Sequence, residues 1–134
     1  MRAAALLLAG LAAGCAGAEP PCPAGTQRAI VAEAYFGRAV RGGMPVSDAQ
    51  WQDFLDGVVT PAFPDGLTVM DGAGQWRGPD ARIVREASKV LTLVIPGATA
   101  DQARARFLPV EQAWTARHRQ DSVMTVYRSA CVGF

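Results

Sequence analysis

In Arg85-Glu86-Ala87-Ser88-Lys89 a carboxylate stands between two cations. Such a group can serve as a general base whose pKa its neighbours tune, or the cations can hold an anionic ligand through charge-assisted hydrogen bonds. Tyr35, Asp71 and Trp76 join Arg85, Glu86 and Lys89 as candidate site residues, because a central hairpin folded back beside the first strand would bring all six together. Glu33 is a second candidate base, and Tyr35 would supply an orienting hydroxyl. A plainer reading of the same charges is a ladder of surface ion pairs across the hairpin, with Trp76 as a packing residue. His118, followed by Arg119 at the end of a helix, reads as a charge partner for the helix dipole. Ser47 is explained by capping. The sequence has no Gly-rich phosphate loop, metal-spaced cluster or hydrolase elbow, so neither a metal nor a cofactor is expected.

These residues need a frame. Ile30, Ala32, Ala34 and Phe36 alternate with Val31, Glu33 and Tyr35, which predicts a first strand ending near Gly37. Ser47 and Gln50 form a capping box ahead of Trp51, Phe54, Leu55 and Val58 at helical spacing, and Pro61 ends or kinks that helix. Leu67 to Met70 read as a second strand, which Asp71 to Gly74 interrupt as a turn or bulge before Gln75 to Arg77 resume it. After a loop from Gly78 to Arg82, a third strand covers about Glu86 to Ile95. It is apolar on both sides and so is expected to be central and covered on both faces. Thr99 and Gln102 cap a second helix from Ala100 to about Arg119, with a kink or break at Pro109. Ser122 to Phe134 form the last strand.

The order β-α-β-β-α-β predicts an α+β, ferredoxin-like fold: an antiparallel four-stranded sheet with two helices on one face. The expected core face carries Ile30, Ala32, Ala34, Leu67, Val69, Leu91, Leu93, Ile95, Met124 and Val126. The helix-free face then carries Glu33, Tyr35, Thr68, Met70, Ser88, Val90, Thr92, Thr125 and Tyr127. That mixture is too apolar for a plain solvated sheet and too polar for a second core, which suits a ligand, a partner or a second copy in a homodimer.

The 134 residues have room for one domain, assigned to 27–134. Ahead of it, Arg2 and the apolar run Ala3 to Ala13 read as a signal peptide over residues 1–14, too short for a permanent span. Leu11-Ala12-Ala13-Gly14-Cys15 approaches a lipobox, in which Cys15 would be lipidated and anchor the chain in the membrane. The usual Leu of the motif is replaced by Ala12. A rival cut after Ala16-Gly17-Ala18 would release a periplasmic protein. Either way the chain is expected in the bacterial envelope, with residues 15–26 as a proline-rich tether. Removing Arg2 from 13 basic residues leaves 12 against 12 acidic ones, which argues against nucleic acid as a partner. In an oxidising compartment Cys22 and Cys131 are expected to pair, worth about 4–5 kcal/mol in the chain-entropy view. A metal site would need more ligands than these two cysteines and the distant His118.

The words Tyr35-Phe36-Gly37, Val46-Ser47-Asp48 with Trp51 and Phe54, and Thr60-Pro61 come in order. Phe63-Pro64-Asp65-Gly66-Leu67-Thr68-Val69, Asp71-Gly72, Gly74-Gln75-Trp76-Arg77 and Arg85-Glu86-Ala87-Ser88-Lys89 follow them. Together they resemble the bacterial domain-of-unknown-function family 3574, small secreted or lipid-anchored proteins, from about Cys22 to Phe134. The resemblance implies an envelope protein and carries over no catalytic residue. The expectation is an envelope binding module using the helix-free sheet face. The alternative is a small dimeric α+β barrel-like enzyme acting on a small anionic molecule, with Glu86 or Glu33 as base and Arg85 and Lys89 as anion holders.

Overall fold

Alternation of small apolar and mixed residues makes β1 (Gln27–Gly37) a strand with Ile30, Ala32, Ala34 and Phe36 buried on one side. A computed structural model describes residues 19–134, so the signal segment, Cys15 and the first residues of the tether lie outside the described residues. After β1 come α1 (Asp48–Phe54), a π-helical turn (Leu55–Val59), α2 (Thr60–Ala62), β2 (Thr68–Arg77), β3 (Ile83–Pro96), α3 (Ala100–His118) and β4 (Met124–Val132). The strands form one sheet in the order β2-β3-β1-β4 with every pairing antiparallel, and the helices pack on one face, the ferredoxin-like arrangement.

Both capping boxes form: Ser47 and Thr99 each accept from the backbone three residues on, and Gln50 and Gln102 reach back to the cap amides. The first helical segment runs on past Pro61 to Ala62. Its middle widens into a π turn, in which the Thr60 amide reaches back to the Leu55 carbonyl. That turn changes the helical phase, so Val59, not Val58, is the fully buried position after Phe54. Arg106 of α3 donates to the Ala62 carbonyl at 2.8 Å and lies over the Phe63 ring, closing the segment's last turn.

Four further expectations are corrected. β2 is not interrupted: its register with β3 runs evenly from Thr68↔Thr92 to Arg77↔Ile83. Gly72 packs closely inside this unbroken ladder: a Cβ there would sit 2.8 Å from the Ser88 hydroxyl. α3 does not break at Pro109 but runs on as one helix, held on both sides of it by the buried Ala103, Phe107, Val110 and Trp114. β4 faces the other way from the expectation. Thr125 pairs with Ala34 and Tyr127 with Ala32, which puts both on the helix side, while Met124 and Val126 lie on the open face. Tyr127 packs against the core, and Thr125 donates to Glu111 of α3 at 2.7 Å. β3 is central as predicted, yet its second face stays open, with Val94 among the exposed large apolar residues.

The core is aromatic at its centre. Phe36 meets Trp51, Phe54, Phe107 and Trp114 edge-on, at centroid distances from 5.1 to 6.3 Å. At the far end of the sheet Cys22 and Cys131 are bonded, as the cysteine pairing predicts. Among the described residues no helix is long and apolar enough to cross a membrane.

Candidate functional site

β1 ends at Gly37, opposite Ser88, while β2 and β3 go on pairing to Arg77 and Ile83. The hairpin therefore overhangs the sheet by several residues, and its tip turns through Gly78 to Arg82. Two loops approach this overhang, one after β1 and one between α3 and β4. Trp76 and Glu86 sit on the overhang's open-face side, where period-two alternation places Gly74, Trp76, Val84 and Glu86 together.

Glu86 ties the three segments. One carboxylate oxygen accepts from the Trp76 indole N–H at 2.9 Å, and the other accepts from the Ala39 amide at 2.8 Å. The Ala39 carbonyl in turn accepts from the Gln120 side chain at 2.8 Å. Arg41 and Asp121 join the same two loops by an ion pair at 3.2 Å. Gly37 is required for this placement: a Cβ on it would lie 2.7 Å from a Glu86 carboxylate oxygen. Among the described residues each oxygen of Glu86 has one donor, so each keeps capacity for another.

A cleft opens on either side of this node. The larger, about 680 Å³, lies between the hairpin tip and the two loops and is lined by Val40, Arg41, Trp76, Asp80, Glu86 and Arg119, among others. A smaller one, about 450 Å³, runs onto the open sheet face beside Tyr35, Gln75, Trp76, Glu86, Asp121 and Met124. Both are in the size range of small-molecule sites, roughly 300–1,000 Å³. The charged side chains lining the smaller cleft are Glu86 and Asp121, both acidic. In the larger one Arg41 and Arg119 stand among Asp80, Glu86 and Asp121.

The six sequence candidates divide into two groups. Tyr35, Trp76 and Glu86 come together at the smaller cleft. Asp71, Arg85 and Lys89 belong to the opposite, helix side of the hairpin. Lys89 is buried there and its ammonium meets Asp71 at 2.5 Å and Asp48 at 3.0 Å, while Arg38 also reaches Asp48 at 3.0 Å. The hydrogen bond to Asp71, then that to Asp48, pushes the Lys89 pKa up. Lys89, followed by the Arg38 charge, pulls the Asp48 carboxyl below its ordinary value. The ion-pair reading therefore describes Lys89 and Asp71; Arg85 lines a shallow groove with Glu86 at the hairpin edge, but Lys89 does not reach it, so the two cations do not form one anion cradle around Glu86.

Glu33 holds Arg128 at 2.8 Å and accepts from the Tyr35 hydroxyl at 3.3 Å, on the open face. His118 is not a dipole partner: its ring packs 4.3 Å from that of Trp114, and its Nε2 is buried with no hydrogen-bond partner among the described residues. Sequence reading missed Gly37, the Ala39 amide, Gln120 and Asp121. Only the strand-ending Gly37 left a local sign, since the others act through loop geometry.

The model of the family described as "Protein of unknown function (DUF3574)" matches residues 31–134. No curated protein matches the sequence. Among solved structures, a phage SAM lyase in complex with S-methyl-5'-thioadenosine has a similar fold. The TM-score is 0.59 at 11% identity, over 88% of this chain and 97% of that one. A phage SAM lyase in the apo state gives 0.57 at 13% identity, over 87% of this chain and 97% of that one. At such identities the likeness is one of fold alone.

Proposed function

The chain belongs to the DUF3574 family, and from that premise we propose that it acts on a small molecule bound in the clefts beside Glu86. The ligand class is a flat ring joined to a positively charged or donor-rich group. One observation carries this reading: a carboxylate fixed by Trp76 and Ala39, with acceptor capacity left, on the wall shared by two clefts. Trp76 and Tyr35 offer faces for a ring and Met124 a soft apolar contact, while Glu86 and Asp121 favour a cation. In an enzyme of this kind Glu86 would accept a proton or stabilise developing positive charge. An anionic substrate is disfavoured in the smaller cleft, whose charged side chains are both acidic, while Lys89, expected to hold it, is paired with Asp71 and Asp48 on the other side of the hairpin.

The fold likeness to a phage SAM lyase supports a small-molecule enzyme over a purely structural module, and its bound thionucleoside fits the same ligand class. Titration calorimetry with S-adenosylmethionine, S-methyl-5'-thioadenosine and adenosine monophosphate compares a cation, a neutral molecule and an anion on one ring system. The cation should bind tightest. Glu86→Gln should weaken it about 10- to 100-fold, the scale of a lost charge-assisted hydrogen bond. Gly37→Ala, which displaces the carboxylate, should act in the same direction, and Arg85→Gln should not. Binding of none of the three, or tightest binding of the anion, would refute the reading.

We also place the domain in the bacterial envelope, tethered by an acyl chain on Cys15. The apolar leader and the lipobox-like Ala12-Ala13-Gly14-Cys15 support this, as does the Cys22–Cys131 disulfide, since such bonds persist in oxidising compartments. Cell fractionation of the full chain should find it with membranes, and Cys15→Ser should move it to the soluble fraction. An unchanged distribution counts against the anchor.

A further inference from the structure

The face of the sheet away from the helices is unusually apolar for a surface that meets water. Met70 on β2, Val94 on β3, and Met124 and Val126 on β4 all lie on it, at 53, 37, 60 and 37% exposure. Trp76 continues the same face onto the overhang at 44% exposure. The strand positions directed to this face carry three charges, Glu33, Glu86 and Arg128. Contiguous apolar surface of this kind marks an interface more often than a solvated wall.

We infer that a second copy of this chain covers the open face, sheet against sheet about a two-fold axis, and closes the exposed side of the smaller cleft. Charge selects the occupant. Glu33 and Arg128 neutralise one another, and Glu86 is held within its own node, so the face attracts neither a strongly acidic nor a strongly basic partner. A neutral apolar surface is complementary to itself, as an isologous contact requires. Arg128 engages Glu33 through one terminal nitrogen and remains about half exposed, within a self-complementary pair that a two-fold would set beside its copy.

Size agrees. Strands of 9 to 14 residues about 4.8 Å apart, staggered so that all four run side by side only at Glu33 to Tyr35 of β1, give a face of roughly 700 Å² before side-chain relief is counted. Each partner in a standard interface contributes about 800 Å². The inferred contact also bears on the site, because Tyr35, Ser88 and Met124 belong both to this face and to the smaller cleft. In that respect it rests on the ligand reading above.

Light scattering during size-exclusion chromatography of residues 19–134, which hold every described element, tests it. The expected mass is twice that of the chain across the micromolar range. Val126→Glu and Val94→Lys, neither of which lines a cleft, should each give a monomer with an unchanged circular dichroism spectrum. Met44→Glu, on an exposed loop off the face, should leave the dimer intact and controls for added charge alone. The monomeric variants should also bind the S-adenosylmethionine probe at least about fivefold more weakly, because a wall of the cleft is lost. A monomeric wild type, a dimer that both variants retain, or full ligand affinity in the monomers would overturn the inference. Ligand binding by a strict monomer would leave the cleft assignment standing. A dimer broken by both variants that binds none of the probes would overturn the cleft assignment instead.

Discussion

Glu86 and His118 show how differently one titratable side chain can be used. Glu86 is held at a surface node by an indole and an amide, within reach of whatever enters the clefts. His118 is turned inward, against Trp114 and Phe54, and water is excluded from its Nε2. Burial, and secondarily the Arg117 charge, lowers its pKa below the ordinary value of 6.5. The folded protein therefore refuses a proton that the unfolded chain accepts. Stability must fall as pH drops below the unfolded value and level off once the folded value is passed, at a slope no steeper than about 1.4 kcal/mol per pH unit. His118 is the only histidine of the chain, which isolates the effect from carboxylates titrating lower. Melting temperatures measured from pH 7 to pH 5 should decline for the wild type and be flatter for His118→Gln. Equal slopes in the two proteins would mean that the ring takes up its proton without cost. Its neutral, packed state was not legible in the sequence, since a histidine in the last turn of a helix equally suits a charged partner of the dipole.

At the scale of elements, most of the fold was legible because strand and helix periods were strong and both capping boxes agreed with them. The alternation in β1 and β3 named the buried positions, and the β-α-β-β-α-β order named the sheet. What failed was phase. In β4, Met124-Thr125-Val126-Tyr127 alternates cleanly but offers large apolar atoms on both sides, so pattern alone does not say which side faces in. The register with β1 decides it, and a shift by one residue exchanges the two faces. In the first helix the π turn advanced the buried stripe by one residue, a change that the apolar spacing does not announce. Asp71 to Gly74 read as a break because turn residues are usually breakers. Here Gly72 serves close packing inside an unbroken ladder instead. The site was half legible for a related reason. Tyr35, Trp76 and Glu86 were picked by chemistry, but separating them from Asp71, Arg85 and Lys89 needed the strand parity of a hairpin whose continuity was itself misread. Gln120, Asp121 and the Ala39 amide reach the node only because two loops are brought under an overhang, and no sequence spacing encodes that.

For the molecule as a whole, covalent and functional ends are set apart along the sheet. The disulfide fastens Cys22 beside the β1 entrance, and Glu19 adds an ion pair to Arg28 at 2.7 Å and accepts from Ser129 at 3.0 Å. The Glu86 node lies past the other end of β1, a strand of 11 residues and so roughly 35 Å away. A tether leaving at the disulfide end would therefore present the clefts away from whatever surface holds it. The same separation predicts how the disulfide acts. Cys22 and Cys131 are 109 residues apart, so their bond constrains nearly the whole unfolded chain while touching none of the site residues. In the chain-entropy view a loop of that length is worth about 4–5 kcal/mol. Replacing both cysteines with serine should lower unfolding free energy by an amount of that order in urea titration, with the midpoint moving and the slope, if anything, rising as the unfolded chain expands. Below the new midpoint the double variant should keep the wild-type affinity for the cleft probe. A loss of affinity in the still-folded variant would mean that the far end of the sheet helps to hold Glu86 in place. Stability unchanged on removing the bond would show that Glu19, Arg28 and Ser129 already fix the segment before β1.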